Sequence, residues 1–312
     1  MYNENIKLNY ILTRPESMQA NIKNFFEASE KDEQALGKDI ACFSRDEFAA
    51  HIESLGFMEP DTLRGRLTNF AVYGDWYDSL HHNTEHHFRD YHVEDFPYAK
   101  LFGPLVTKTP EDLYYRITKV YTLDSGQPAM AALCLAWLGI DCGDALKLRN
   151  EQVDTRNGQI ISPTGEVLVA SMPECIRKML DVYGKTRSAE RVQNRTFTVY
   201  ADDRGFFIKR MVSKQSSKEG APITKKNISD WIVLLRDKFN GTTGNDQTLT
   251  YGNVQRSGGF YRLRQMDLAG INVHSVKNAD KVRMCLGKSK RNHKDNMLMY
   301  DAYLEVIGAK EK

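Results

Sequence analysis

The 312-residue chain has little cysteine, few prolines and no long apolar run. Its five cysteines (Cys42, Cys134, Cys142, Cys175, Cys285) are odd in number, scattered, and never spaced as C-x-x-C. That excludes a disulfide scaffold and a thiolate zinc ribbon. It fits a reduced compartment, where cysteine serves as a small apolar residue. The longest apolar stretch, 129–140, falls well short of the ~20 residues a membrane span needs. The first residues are polar and carry Glu4 and Lys7, unlike a secretory leader. A cytoplasmic protein with no membrane partner is expected. A strong net charge is also missing: at +2 the total does not announce a polyanion partner.

The distribution of charge says more. Residues 27–61 hold ten acids against three bases, whereas 281–294 hold six bases and no acid. Residues 203–226 hold seven bases and two acids. Such asymmetry predicts a basic face laid against a polyanion, with a solvated surface as the plainer alternative. Five of the eight histidines cluster between 81 and 92. The spacing of His82 and His86 would suit a metal pair. No cysteine lies near, and neutral histidines on an exposed segment are the commoner explanation, so neither metal nor cofactor is expected.

Periodicity predicts a mainly α chain with a small β-sheet, an α+β class in two domains. Residues 17–28 place Met18, Ile22, Phe25 and Phe26 on one stripe. Ser44 and Glu47 read as a capping box, followed by Phe48, Ile52 and Leu55 and a stop at Gly56. A helix from Pro60 sets Leu63, Leu67 and Phe70 inward and leaves Arg64 and Arg66 on other faces. Residues 1–100 thus read as a helical domain. Pro97, Gly103, Pro104 and Pro110 suggest a linker before a second domain over 108–312. That domain opens with Thr109 as cap and Pro110 in the first turn. A hairpin is expected over 160–170, helices near 173–183 and from Thr224, short strands over 196–200 and 205–208, and loops over 213–220 and 240–247. Helices are expected near 254–269, 273–286 and 294–307.

One segment, AALCLAWLGIDCGDALKLRNEQVD over 131–154, resembles the first conserved box of the tyrosine recombinase (phage integrase) family: an apolar helix, a Gly turn, then a helix ending in Leu-x-x-x-x-Val-Asp. Further matches follow. GFFI over 205–208, APIT over 221–224 and NISDWI over 227–232 resemble the strand and capped helix before the second box. Asn253-Val-Gln-Arg256 stands where that box reads His-x-x-Arg, although another register would set Gly259 at the arginine. Leu286-Gly-Lys288 stands for Leu-Gly-His. Tyr300, or Tyr303, stands near the nucleophilic tyrosine. The N-terminal half resembles the helical core-binding (SAM-like) domain of integrases, and within the family the integrase-like lysogeny repressors of SPβ-type Bacillus phages are the most similar.

The resemblance implies a two-domain recombinase architecture and a damaged site. Such enzymes attack phosphorus with a tyrosine hydroxyl while two arginines neutralise the phosphate and a hairpin lysine protonates the leaving oxygen. Asp141 occupies the first arginine's place. No lysine lies between Lys147 and Lys178, and Glu166 stands near the hairpin tip. Asn253 replaces the histidine; Arg256 survives. Duplex DNA is the expected partner, with a regulatory protein or peptide as a further one. Arg64, Arg66, Lys209, Arg210, Lys225, Lys226, Arg256, Arg262, Lys288, Lys290 and Arg291 are the candidate DNA contacts. The expected function is a catalytically inactive, sequence-specific repressor of a phage lysis/lysogeny programme. The alternatives are a working recombinase and a recombination accessory protein.

Overall fold

The computed structural model describes residues 1–56, 60–81, 88–186, 188–190, 198–201, 205–209, 211–212, 223–243, 248–287 and 291–309. Its contacts divide the chain into two units, Met1–Gly103 and Pro104–Lys312. The described residues are mainly helical, with two small antiparallel sheets.

The first unit packs α1 (Glu4–Leu12), α2 (Glu16–Leu36), α3 (Arg45–Ser54) and α4 (Pro60–His81) around an aromatic core, with the short α5 (Tyr98–Phe102) at its end. Phe26, Phe48, Phe70 and Tyr73 are buried and meet edge-on or tilted, the arrangement their ring quadrupoles favour. The Ser44/Glu47 capping box forms as its sequence signature demands. Helix α1 had no clear signature. Its polar Lys7 is fully buried against Glu33 of α2, and Glu33 also accepts from Ser29 Oγ at 2.9 Å and the Ile40 amide at 2.8 Å. Asp39 takes Tyr73 Oη at 3.1 Å and Asn3 Nδ2 at 3.2 Å. A salt-linked polar layer therefore pins α1 alongside its buried Tyr10 and Ile11. Of the predicted α2 stripe, Met18 is 45% exposed because the helix presents Ile22, Phe25 and Phe26 to the core instead. At the start of the expected linker, Tyr98, Leu101 and Phe102 are buried side chains of α5.

The second unit is built on α7 (Pro128–Trp137), every residue of which is buried. Around it lie α9 (Glu174–Lys185), α10 (Lys225–Thr243) and α11 (Tyr251–Leu268), and α6 (Pro110–Thr118) packs on α9. Short α8 (Cys142–Ala145) follows the Gly139 turn. Helices α12 (Ala279–Cys285) and α13 (His293–Val306) close the chain. The expected hairpin is present as β2 (Gln159–Ile161) and β3 (Val167–Val169), and β1 (Val153–Asp154) joins β2 with Val153 opposite Ile160. A second sheet orders β4 (Ser188–Glu190), β5 (Thr198–Ala201) and β6 (Met211–Val212).

Three expectations change. Residues 205–208 form no strand, only an isolated bridge between Phe206 and Arg149. The helix from Thr224 runs on to Thr243, so part of the expected Gly-rich loop is helical. The helix predicted over 273–286 starts with a 3-10 turn at Val276–Asn278 and becomes α-helical only at Ala279.

Glycine matters most where α7 meets α11. A Cβ at Gly258 would lie 2.0 Å from the Trp137 carbonyl oxygen, and one at Gly259 would lie 2.8 Å from that of Cys285. No side chain fits either position, so the Gly pair lets three backbones converge.

Candidate nucleic-acid interface

The turn after α7 is where the resemblance assigns the first arginine. Gly139 adopts φ 90°, open to glycine and strained for others. Asp141 then caps α8: its carboxylate accepts from the Gly143 amide at 2.7 Å. A carboxylate here serves the helix N-terminus, a role an arginine cannot fill. It is largely exposed and has Lys225 Nζ at 4.0 Å. Tyr251 Oη donates to the Ile140 carbonyl at 2.8 Å and Gln255 Nε2 to the same oxygen at 3.2 Å. The start of α11 is thereby fixed against the turn.

Arg256 lies on α11, one turn beyond Asn253, whose backbone amide is capped by Thr250 Oγ1 at 3.1 Å. Arg256 and Arg291 line one pocket of about 220 Å³, together with Gln255 and Asn296. The structure thus brings two of the predicted basic residues together. Burial pulls the Arg291 guanidinium below its ordinary value, partly offset by the charge of Asp295.

The predicted nucleophiles stand elsewhere. Tyr300 is fully buried, with its hydroxyl 3.5 Å from Asp267 Oδ2. Asp267 sits eleven residues beyond Arg256 on α11, about 16 Å along the helix axis. Burial first, then the Asp267 charge, raises the Tyr300 phenol well above its ordinary range. Tyr303 is equally buried and donates to the Lys108 carbonyl at 2.9 Å. The α13 residues that line the pocket are Asn296 and Met299, neither of which carries a hydroxyl.

The other candidates separate by environment. Lys225 and Lys226 project from the first turn of α10, both largely exposed, with Lys226 2.9 Å from Asp230. In the first unit, Arg64 is half exposed and bonds Asp61 at 2.9 Å, whereas Arg66 is partly buried and burial lowers its pKa. Lys209 is committed to structure: its Nζ donates to the carbonyls of Tyr183, Gly184 and Thr186, at 2.6 Å for the last. It caps the C-terminus of α9, where a cation is favoured. Arg262 is similarly committed, donating to the Trp137 carbonyl at 2.5 Å and that of Cys285 at 2.8 Å. Burial lowers its pKa to about 10, so it stays charged. Arg210, Lys288 and Lys290 lie outside the described residues, as do His82 and His86. Among the described residues no group of three or more His, Cys, Asp or Glu could hold a metal ion, and no helix is long and apolar enough to cross a membrane.

Sequence reasoning missed Arg262's structural task. The signal was available: Arg262 follows Gly258 by four residues and Gly259 by three, so it lies on the face where α7 and α12 come closest. Met299 and Asp267 carried no such signal.

Comparison with known proteins gives two kinds of likeness. Residues 1–78 match the family model described as MrpR, N-terminal core-binding domain. The chain is similar in structure to the Tn1549 transposon integrase in complex with circular intermediate DNA, at 15% identity and a TM-score of 0.38, covering 95% of this chain and 93% of that one. A variant of the same integrase in complex with transposon right-end DNA gives 15% identity and a TM-score of 0.39 at the same coverage. No curated protein matches the chain.

Proposed function

We propose that the chain is a sequence-specific DNA-binding repressor on a tyrosine-recombinase fold, serving a phage lysis/lysogeny programme and not cleaving DNA. Tyr300 carries the reading. A nucleophile must approach to ~3–3.5 Å of the atom it attacks, but the Tyr300 side chain is buried with its hydroxyl beside Asp267, which lies eleven residues along α11 from Arg256. Asp141 adds to this, since a carboxylate repels the phosphate that an arginine would hold. Binding has other needs. Distributed phosphate contacts suffice for affinity, and Lys225, Lys226, Arg256 and Arg291 remain as donors, with Arg64 and Arg66 in the first unit.

The test uses the full chain. Gel shifts on phage and host promoter DNA should show complexes whose affinity falls by about 10³–10⁵ between 50 and 200 mM salt, for roughly 6–10 phosphates engaged. Arg256→Ala should weaken binding by about 1–3 kcal/mol. A nicked suicide substrate should trap no covalent adduct, and Tyr300→Phe should bind and repress as the parent does. A phosphotyrosyl adduct that disappears in Tyr300→Phe would establish the working-recombinase alternative instead.

A further inference from the structure

The pocket shared by Arg256 and Arg291 lies against the turn where the resemblance expects an arginine and the chain has Asp141. Gln255, one of the lining residues, donates to the Ile140 carbonyl at 3.2 Å, one position before Asp141. Asp141 spends its carboxylate on the Gly143 amide and brings no cation. Arg291 comes instead from the connection between α12 and α13. Gly287 sets that connection close: at φ 69° it packs so tightly on Gln255 that a Cβ would lie 2.9 Å from Gln255 Nε2. Asn296, 3% exposed in the first turn of α13, lines the same pocket and donates to the Arg291 carbonyl at 3.4 Å. Asp295, the acid whose charge reaches Arg291, receives Asn292 Nδ2 at 2.9 Å. Two guanidinium groups on one partly desolvated pocket repel, and an anion set between them offsets that repulsion.

We propose that Arg291 takes over from the missing arginine, so that Arg256 and Arg291 clamp one and the same backbone phosphate of DNA in this pocket. The clamp rests on the DNA-binding reading above. No box of the family resemblance includes position 291. Two planar forks suit a single phosphate, since each can give it parallel charge-assisted bonds. The pocket's volume, about 220 Å³, is several times the ~30 Å³ share of one water, so it admits a phosphate group. Gln255 and Asn296 add amide groups to its lining. No tyrosine is among the described residues that line it, so the phosphate is held without being attacked.

A methylphosphonate scan of a bound promoter fragment tests the clamp with the full chain. Each step replaces one backbone phosphate by a neutral methylphosphonate. Arg256→Gln and Arg291→Gln should each weaken binding about ten-fold, and the double variant should fall well short of the ~100-fold that independent contacts would give. The slope of log affinity against log salt should drop by about 0.9 in the double variant, the share of one phosphate, and not by about 1.8. One methylphosphonate position should lose its effect in the double variant and have a reduced effect in both single ones, whereas Lys225→Ala should remain sensitive there. If Arg291→Gln melts early, Arg291→Lys, which keeps the charge and loses the fork, should weaken binding less and at that same phosphate. Different phosphates for the two arginines, additive losses, a slope change near 1.8 or full affinity in Arg291→Gln would each overturn the clamp while leaving DNA binding intact. No complex between the parent and DNA at low salt would defeat the DNA-binding reading, and the clamp with it.

Discussion

Arg262 of α11 donates to the backbone carbonyl of Trp137 at 2.5 Å, in the last residue of α7. Its other terminal nitrogen reaches the Cys285 carbonyl at the end of α12 at 2.8 Å. One planar fork therefore joins three helices whose backbones meet at Gly258 and Gly259. Arg262→Met should destabilise the protein by about 1.5–3 kcal/mol, the range for hydrogen bonds to a charged group. Arg262→Lys should recover only part, because a point charge cannot span both acceptors as a fork does. Urea denaturation reads both, and an unchanged midpoint in Arg262→Met would refute the assignment.

Lys209 and Lys225 should behave oppositely although both are lysines of basic stretches. Lys209 is spent on three carbonyls at the end of α9, while Lys225 is largely exposed. Lys209→Ala should lower stability by roughly 1–2 kcal/mol and leave the salt dependence of DNA binding unchanged. Lys225→Ala should leave the melt alone and reduce the slope of log affinity against log salt by about 0.9. Matching slopes in the two variants would contradict this division.

The Lys7–Glu33 pair is fully buried. Lys7→Met strands the carboxylate and should destabilise by about 3–5 kcal/mol. Adding Glu33→Gln removes the stranded charge and keeps an acceptor for the Ile40 amide, so the double variant should regain most of the loss. A double variant no more stable than Lys7→Met would exclude charge stranding as the cause.

His51 gives the pH dependence a defined sign. Burial lowers its pKa below the ordinary value, partly opposed by Asp32 at 2.6 Å. The unfolded chain takes up a proton near pH ~6.5, and the folded chain only at lower pH. Between those points the unfolded state binds more protons, so stability declines as pH drops below ~6.5 and is flat above. Thermal melts from pH 7.5 to 5 should show this decline, and His51→Gln should flatten it. The same slope in both proteins would assign the effect to other groups.

Local chemistry was legible in the sequence. The Ser44/Glu47 box, the Thr109–Pro110 start, the buried α7, the Gly139 turn and the hairpin over 160–170 all depend on residues within a few positions of one another. Dihedral preference, capping and burial of contiguous apolar residues act at that range. Tertiary structure decided what depends on distant partners. Lys7 became a core residue because Glu33 waits on another helix. Arg262 and Lys209 were drawn to carbonyls of distant segments that needed donors. Tyr300 was turned toward Asp267 while Met299 entered the pocket beside Arg256. A cation or hydroxyl carries the same symbol whether it meets solvent, a carbonyl or a carboxylate. Which of these it meets is settled only when helices pack, because burying a polar group without a partner costs more than any local preference supplies.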